Sequence, residues 1–243
     1  MIRLVTACNA GYLGRMAPYL DSLRQSADFP VTLVSVGFEA TYPGIECVTL
    51  PRLLNAGSPL ETESPQHGSF LQAMPGDDDE TLIFTDGDII MQRALTLQEW
   101  AWLEEFPAGQ VSFGWNSGPD ETLEVEAARL FPRVTMDQLA GRLGSIVREA
   151  PCYNIGVFVA KWSTYWNIYE AYMPLWKIVT DAFQHPARQQ WLVNYVIATL
   201  GIPVQRMSYA LHANGHYGIP PGVSIENGTA YFDGQAVAFR HRL

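Results

Sequence analysis

Thr81-Leu82-Ile83-Phe84-Thr85-Asp86-Gly87-Asp88-Ile89-Ile90-Met91 is an apolar run broken by two carboxylates one residue apart. Its first five residues read as a buried strand. The acids then fall at that strand's carboxyl end, where open α/β sheets receive ligands. Two anions beside Phe84 and Ile89 repel each other and are costly to desolvate. A shared divalent cation relieves both problems, and carboxylate oxygens suit manganese or magnesium. Gly87 lets the backbone turn so that Asp86 and Asp88 reach one ion. A bare D-x-D is common: Asp77-Asp78-Asp79 is explained by solvation in a turn. The D-G-D placed between a buried strand and a second apolar segment is far more specific. The competing reading is a tight turn with solvated acids.

Upstream of this run, Ile2 to Ala7 predicts a first strand, Tyr12 to Arg24 a helix, Val31 to Val36 a second strand and Cys47 to Leu50 a third. Strand, helix and strand at this spacing predict parallel strands joined by crossover helices. Pro51 to Pro65 reads as a loop, followed by a short helix from Gly68 to Met74. Further helices are expected over Leu97–Glu105, Glu121–Leu130, Met136–Arg148, Ser163–Phe183 and Arg188–Leu200, and a strand over Tyr153–Ala160. Tyr165, Tyr169, Tyr172, Trp176, Val179 and Phe183 recur at four- and three-residue steps, the spacing of a core-facing stripe. The fold class is therefore α/β, a mostly parallel central sheet flanked by helices.

The 243 residues suit one domain, and 48% apolar against 16% charged residues implies a large core. Seven Trp and eleven Tyr hint at sugar binding through ring faces, although core packing accounts for most of them. A net charge of −10 argues against nucleic acid as a partner. Cys8, Cys47 and Cys152 have no C-x-x-C spacing, which points to a reducing compartment rather than a zinc site. The first residues lack a signal-peptide pattern and no stretch is apolar enough to span a membrane. A cytoplasmic location is expected, compatible with peripheral docking at a membrane.

Thr85-Asp86-Gly87-Asp88-Ile89 resembles the D-x-D signature of GT-A fold glycosyltransferases, especially family 8 and its bacterial relatives. Val5-Thr6-Ala7-Cys8-Asn9-Ala10-Gly11-Tyr12-Leu13 is similar to that family's first strand and uridine-cradling loop. Tyr153-Asn154-Ile155-Gly156-Val157 resembles its sugar-lining F-N-S-G segment, and Gln189-Gln190-Trp191-Leu192-Val193-Asn194 its D-Q-x-x-L-N helix start. Each motif alone is soft; their joint order across nearly the whole chain carries the resemblance. Gln189 stands where the family has an acid near the transferred sugar. Leu211-His212-Ala213-Asn214-Gly215-His216 retains a His and a Gly of a terminal motif but not its Lys or Trp.

The resemblance implies a single GT-A domain, with a nucleotide-binding half over 1–92 and an acceptor and sugar-binding half over 93–243. It implies a hexosyltransferase using a UDP-sugar, manganese or magnesium, and a saccharide or glycolipid acceptor, with retention of configuration. Thr6, Ala7, Asn9, Tyr12, Asp86 and Gly87 would line the nucleotide, and Asn154, Gln189 and Gln190 the transferred sugar. Asp86 and Asp88 would hold the metal. His241, after the apolar run Ala236-Val237-Ala238-Phe239, and His212, before a Gly-rich loop, compete as third ligand, with His241 preferred. His67 falls near the nucleotide or a helix cap, and Arg188 and Lys161 are the nearest cations to the matched motifs. The rivals are a non-catalytic nucleotide-sugar-binding protein and a nucleotidyltransferase, whose Arg- and Lys-bearing loop Asn9 to Arg15 imitates only faintly. A haloacid-dehalogenase-type phosphatase would open on its D-x-D, whereas this one arrives at residue 86.

Overall fold

The computed structural model describes residues 1–50, 71, 74, 76–114, 121–130, 135–144, 147–182, 188–215 and 218–241. The strands are β1 (Ile2–Asn9), β2 (Val31–Val36), β3 (Glu46–Leu50), β4 (Thr81–Thr85), β5 (Ile89–Met91), β6 (Val111–Phe113), β7 (Glu121–Thr122), β8 (Pro151–Cys152) and β9 (Val157–Lys161). They continue as β10 (Val204–Arg206), β11 (His212–Asn214), β12 (Val223–Glu226), β13 (Thr229–Phe232), β14 (Gln235–Ala236) and β15 (Phe239–His241). The helices are α1 (Ala10–Ser26), α2 (Leu97–Glu104), α3 (Leu123–Leu130), α4 (Met136–Leu143), α5 (Trp162–Ala182) and α6 (Arg188–Leu200).

Seven strands form the main sheet in the order β10-β6-β9-β4-β1-β2-β3. Only β9 runs against its neighbours, so the sheet is mostly parallel. Its central strands alternate between two cores. Val5, Leu82, Phe84, Phe158 and Ala160 face one side, whereas Leu4, Cys8, Ile83, Val157 and Val159 face the other. Helices α3, α5 and α6 supply the first core and α1 and α2 the second. Burial on both faces explains why β4 is apolar throughout and not alternating.

Several boundaries differ from the sequence expectation, each for a local reason. β6 was not expected, being three residues long among polar ones; it is ordered by β9 on one side and β10 on the other. α3 starts at Leu123 because Glu121 and Thr122 pair with Cys152 and Pro151. α4 stops at Leu143, where Gly144 takes a φ of 89°, which other residues rarely adopt. Tyr153 to Gly156 precede β9 as irregular chain. In the aromatic stripe of α5, Tyr165, Tyr169, Tyr172 and Trp176 are buried in the core as expected. Of the expected helix from Gly68 to Met74 only Leu71 and Met74, both buried, are described, and the side chains of Val179 and Phe183 together with His67 and His185 lie outside the described residues.

A second, three-stranded sheet, β11-β15-β5, brings the end of the chain back to the acidic turn. β15 pairs antiparallel with β5, setting His241 opposite Ile89. Gln92, just after β5, fastens the return: its amide donates to Ala230 O at 3.2 Å and Val237 O at 2.9 Å. Its carbonyl accepts from Ala230 N at 2.9 Å.

Candidate functional site

The acidic turn is fastened from three directions. The Thr85 carbonyl accepts from Thr6 Oγ1 at 2.9 Å, and the Thr85 hydroxyl is hydrogen-bonded to Tyr19 of α1. The Asp86 backbone N–H donates to Gly156 O at 2.8 Å. Gly87 backs onto α1 so closely that a β-carbon there would lie 2.7 Å from Met16 Cγ and Sδ. Tyr19 is fully buried, and desolvation, reinforced by the Asp86 carboxylate, pushes its hydroxyl far up from the ordinary range. Tyr165 is shifted in the same direction for the same two reasons, burial first and then the Asp86 carboxylate.

His241 Nε2 approaches Asp88 Oδ1 to 3.1 Å. One ligand atom each from Asp86, Asp88 and His241 can be chosen so that all lie within 4.8 Å of one another. His241 is 2% exposed, and among the described residues neither ring nitrogen has a hydrogen-bond partner, so the 3.1 Å approach lacks hydrogen-bond alignment. Two carboxylates and a buried imidazole without a hydrogen-bond partner among the described residues form a donor set that fits a manganese- or magnesium-class cation. His212 does not join this group. It stacks behind His241, ring centroids 6.0 Å apart and planes at 28°. It is fully buried, and desolvation, with His241 nearby, holds it neutral by lowering its pKa well below the usual imidazole value.

Asn154 and Gln190 come together although 36 residues apart, Asn154 Nδ2 donating to Gln190 Oε1 at 3.4 Å. Asn194, one helical turn beyond Gln190, explains the juxtaposition. Its Oδ1 accepts from Tyr153 N at 2.9 Å, while its Nδ2 donates to Tyr153 O at 2.9 Å and Gln190 O at 2.8 Å. Asn154 Oδ1 in turn accepts from Gly156 N at 2.9 Å. The segment holding Asn154 is thus tied both to α6 and, through Gly156, to Asp86.

The remaining expected residues divide. Thr6 is fully buried and its hydroxyl donates to the Thr85 carbonyl, joining β1 to β4. Ala7, Asn9 and Tyr12 are partly exposed at the carboxyl end of β1, and Asn9 Oδ1 caps α1 by accepting from Tyr12 N at 3.0 Å. Gln189 is half-buried beside Gln190. Lys161 lies at the other end of the sheet, its Nζ donating to Asp79 O and Thr81 Oγ1, both at 2.9 Å. The Arg188 side chain lies outside the described residues. Tyr19 shapes the site without any sequence signal of doing so, and the motifs that contain Gly156 and Asn194 give no sign of the contacts these two make, because the partners are distant in the chain. Arg206 was missed for the same reason; its guanidinium sits 5.0 Å over the Tyr153 ring.

No family model and no curated protein matches the sequence. Among solved structures, the chain is similar to galactosyltransferase LgtC in complex with donor and acceptor sugar analogs: TM-score 0.60 and 13% identity, covering 98% of this chain and 86% of that one. An active-site mutant of LgtC superposes with TM-score 0.59 at 11% identity, over the same shares of the two chains. The chain therefore has the GT-A fold of those transferases.

Proposed function

We propose that this protein is a metal-dependent glycosyltransferase that moves a hexose from a UDP-sugar to a hydroxyl of a saccharide or glycolipid acceptor. The observation that carries the reading is the convergence of Asp86, Asp88 and His241 at the carboxyl end of the parallel strands. Likeness in fold to galactosyltransferase LgtC supports it. Residues 1–92 form the nucleotide side and residues 93–243 the sugar and acceptor side.

In this reading Asp86, Asp88 and His241 hold manganese or magnesium. The bound cation supplies Lewis-acid neutralisation of the diphosphate as the leaving UDP gains charge. Ala7, Asn9, Tyr12 and Gly87 line the nucleotide. Asn154 and Gln190 direct amide groups at the sugar hydroxyls and orient the donor, with Gln189 beside them. The motifs shared with family 8 imply retention of anomeric configuration.

The test is thermal stability with UDP, GDP, CDP and ADP, each with and without manganese. A ligand at a hundredfold excess over Kd stabilises by about 2.7 kcal/mol. UDP with manganese is expected to raise the melting temperature most, and Asp88→Ala to abolish that rise. Equal shifts in Asp88→Ala and the native protein would overturn the metal assignment. Gln189, in place of an acid, favours one alternative, a non-catalytic nucleotide-sugar-binding protein. Manganese-dependent hydrolysis of a UDP-sugar separates the two, since a binding module turns none over.

A further inference from the structure

Glu126 of α3 is a carboxylate at 2% exposure, held by Arg129 through contacts of 2.6, 2.7 and 2.9 Å. Glu121 is also hydrogen-bonded to it, burial and then that contact raising the Glu121 carboxyl above its usual range, and Gln190 Nε2 approaches Glu126 Oε1 at 3.5 Å. Gln190 Oε1 receives Asn154 Nδ2 at 3.4 Å, and Asn154 Oδ1 receives the Gly156 N–H at 2.9 Å. The result is one line of groups from Gly156, beside the metal-site residues, to a buried charge on another helix.

The two ends of that line have fixed polarity. A backbone N–H can only donate, and an ionised carboxylate can only accept. Between them two side-chain amides have one arrangement that satisfies every link: each carbonyl toward Gly156, each NH2 toward Glu126. An amide otherwise flips with little penalty, exchanging donor for acceptor. The 3.4 and 3.5 Å links are long. They orient the amides while leaving each NH2 a second N–H to give to a ligand.

We infer that Glu126 is a positioning residue for the donor sugar: it fixes the amide orientation of Gln190 from one end as Gly156 fixes that of Asn154 from the other, so that the pair presents N–H donors to the sugar's oxygens. This rests on the proposed role of Asn154 and Gln190 as sugar contacts. The class of ligand it selects is a hexose whose hydroxyls accept hydrogen bonds at both amides, and an epimer with one hydroxyl inverted is discriminated against.

The experiment compares UDP, UDP-galactose and UDP-glucose binding, each with manganese, in the native protein, Glu126→Gln and Glu126→Asp. Glu126→Gln keeps the shape but can present either polarity. Glu126→Asp keeps a charge for Arg129 while withdrawing it from Gln190 by one methylene, so it serves if Glu126→Gln does not fold. Both variants are expected to bind UDP as the native protein does. They should bind the preferred UDP-hexose about tenfold more weakly, the scale of one hydrogen bond to a charged system, with the epimer ratio falling toward one. In a Gln190→Ala background, Glu126→Gln should add no further loss. Unchanged UDP-hexose affinity and epimer ratio would overturn the inference and leave the transferase reading standing. A parallel loss of UDP affinity would make Glu126 structural and overturn it as well. No uridine-nucleotide binding by the native protein would remove the transferase reading and this inference together.

Discussion

The α-carbon of Gly156 lies against the His241 ring: a β-carbon there would sit 2.7 Å from Cε1 and 2.8 Å from Nδ1. The same glycine accepts the Asp86 N–H through its carbonyl and gives its own N–H to Asn154. One residue without a side chain therefore spaces both the imidazole and one carboxylate of the candidate metal site.

Gly156→Ala should weaken manganese binding by about ten- to a hundredfold, the usual effect of disturbing the shell behind a ligand, although no ligand is removed. Titration calorimetry with manganese and UDP reads this directly, and circular dichroism verifies the fold. Native-like manganese affinity in Gly156→Ala would mean that His241 is not a ligand or is not held by this contact.

Tyr19→Phe strips the phenol from Thr85 and leaves a buried hydroxyl unpaired beneath the acidic turn. A loss of about 1–3 kcal/mol in stability is expected by urea denaturation. Adding Thr85→Val should recover part of it, because removing both partners leaves nothing unsatisfied. Additive losses would show that the hydroxyl pair contributes nothing as a pair.

Asn194→Leu removes the three hydrogen bonds that tie Tyr153 and Gln190 together. It leaves the part-buried backbone N–H and carbonyl of Tyr153 without this partner, at about 1–3 kcal/mol each or less. We expect a lower denaturation midpoint together with weaker UDP-sugar binding, while UDP alone binds as before. If UDP-sugar and UDP affinities stayed in their native ratio, the clamp would have no bearing on the sugar side.

Thiol chemistry provides a check independent of any ligand. Burial, with Cys47 adding to it, pushes the Cys8 thiol up to about 11, and burial raises Cys152 well above its usual value. A raised thiol pKa means protonated, unreactive sulfur below it. At pH 8 an aromatic disulfide reagent should therefore modify Cys47 quickly and the other two only after denaturation. Rapid release of three equivalents from the folded protein would contradict the packing around β1.

What the sequence determined by itself is local and repetitive. The strands β1, β2 and β4, and helices such as α6, are written in runs of apolar residues whose period matches their own geometry. The acidic pair stood out because charge at the end of a buried run is unfavourable without a purpose. Asp86 and Asp88 needed no tertiary information to be noticed. The apolar run before His241 favours it over His212, but only the tertiary structure brings an imidazole to the acids: β15 pairs with β5 across some 150 residues of chain. A one-residue slip in that register would turn His241 to the opposite face. Glu126 is silent in sequence, and the motifs holding Asn194 and Gly156 do not disclose what these residues touch, for the same reason: hydrogen bonding and close packing between distant segments leave no periodic trace in the chain that makes them.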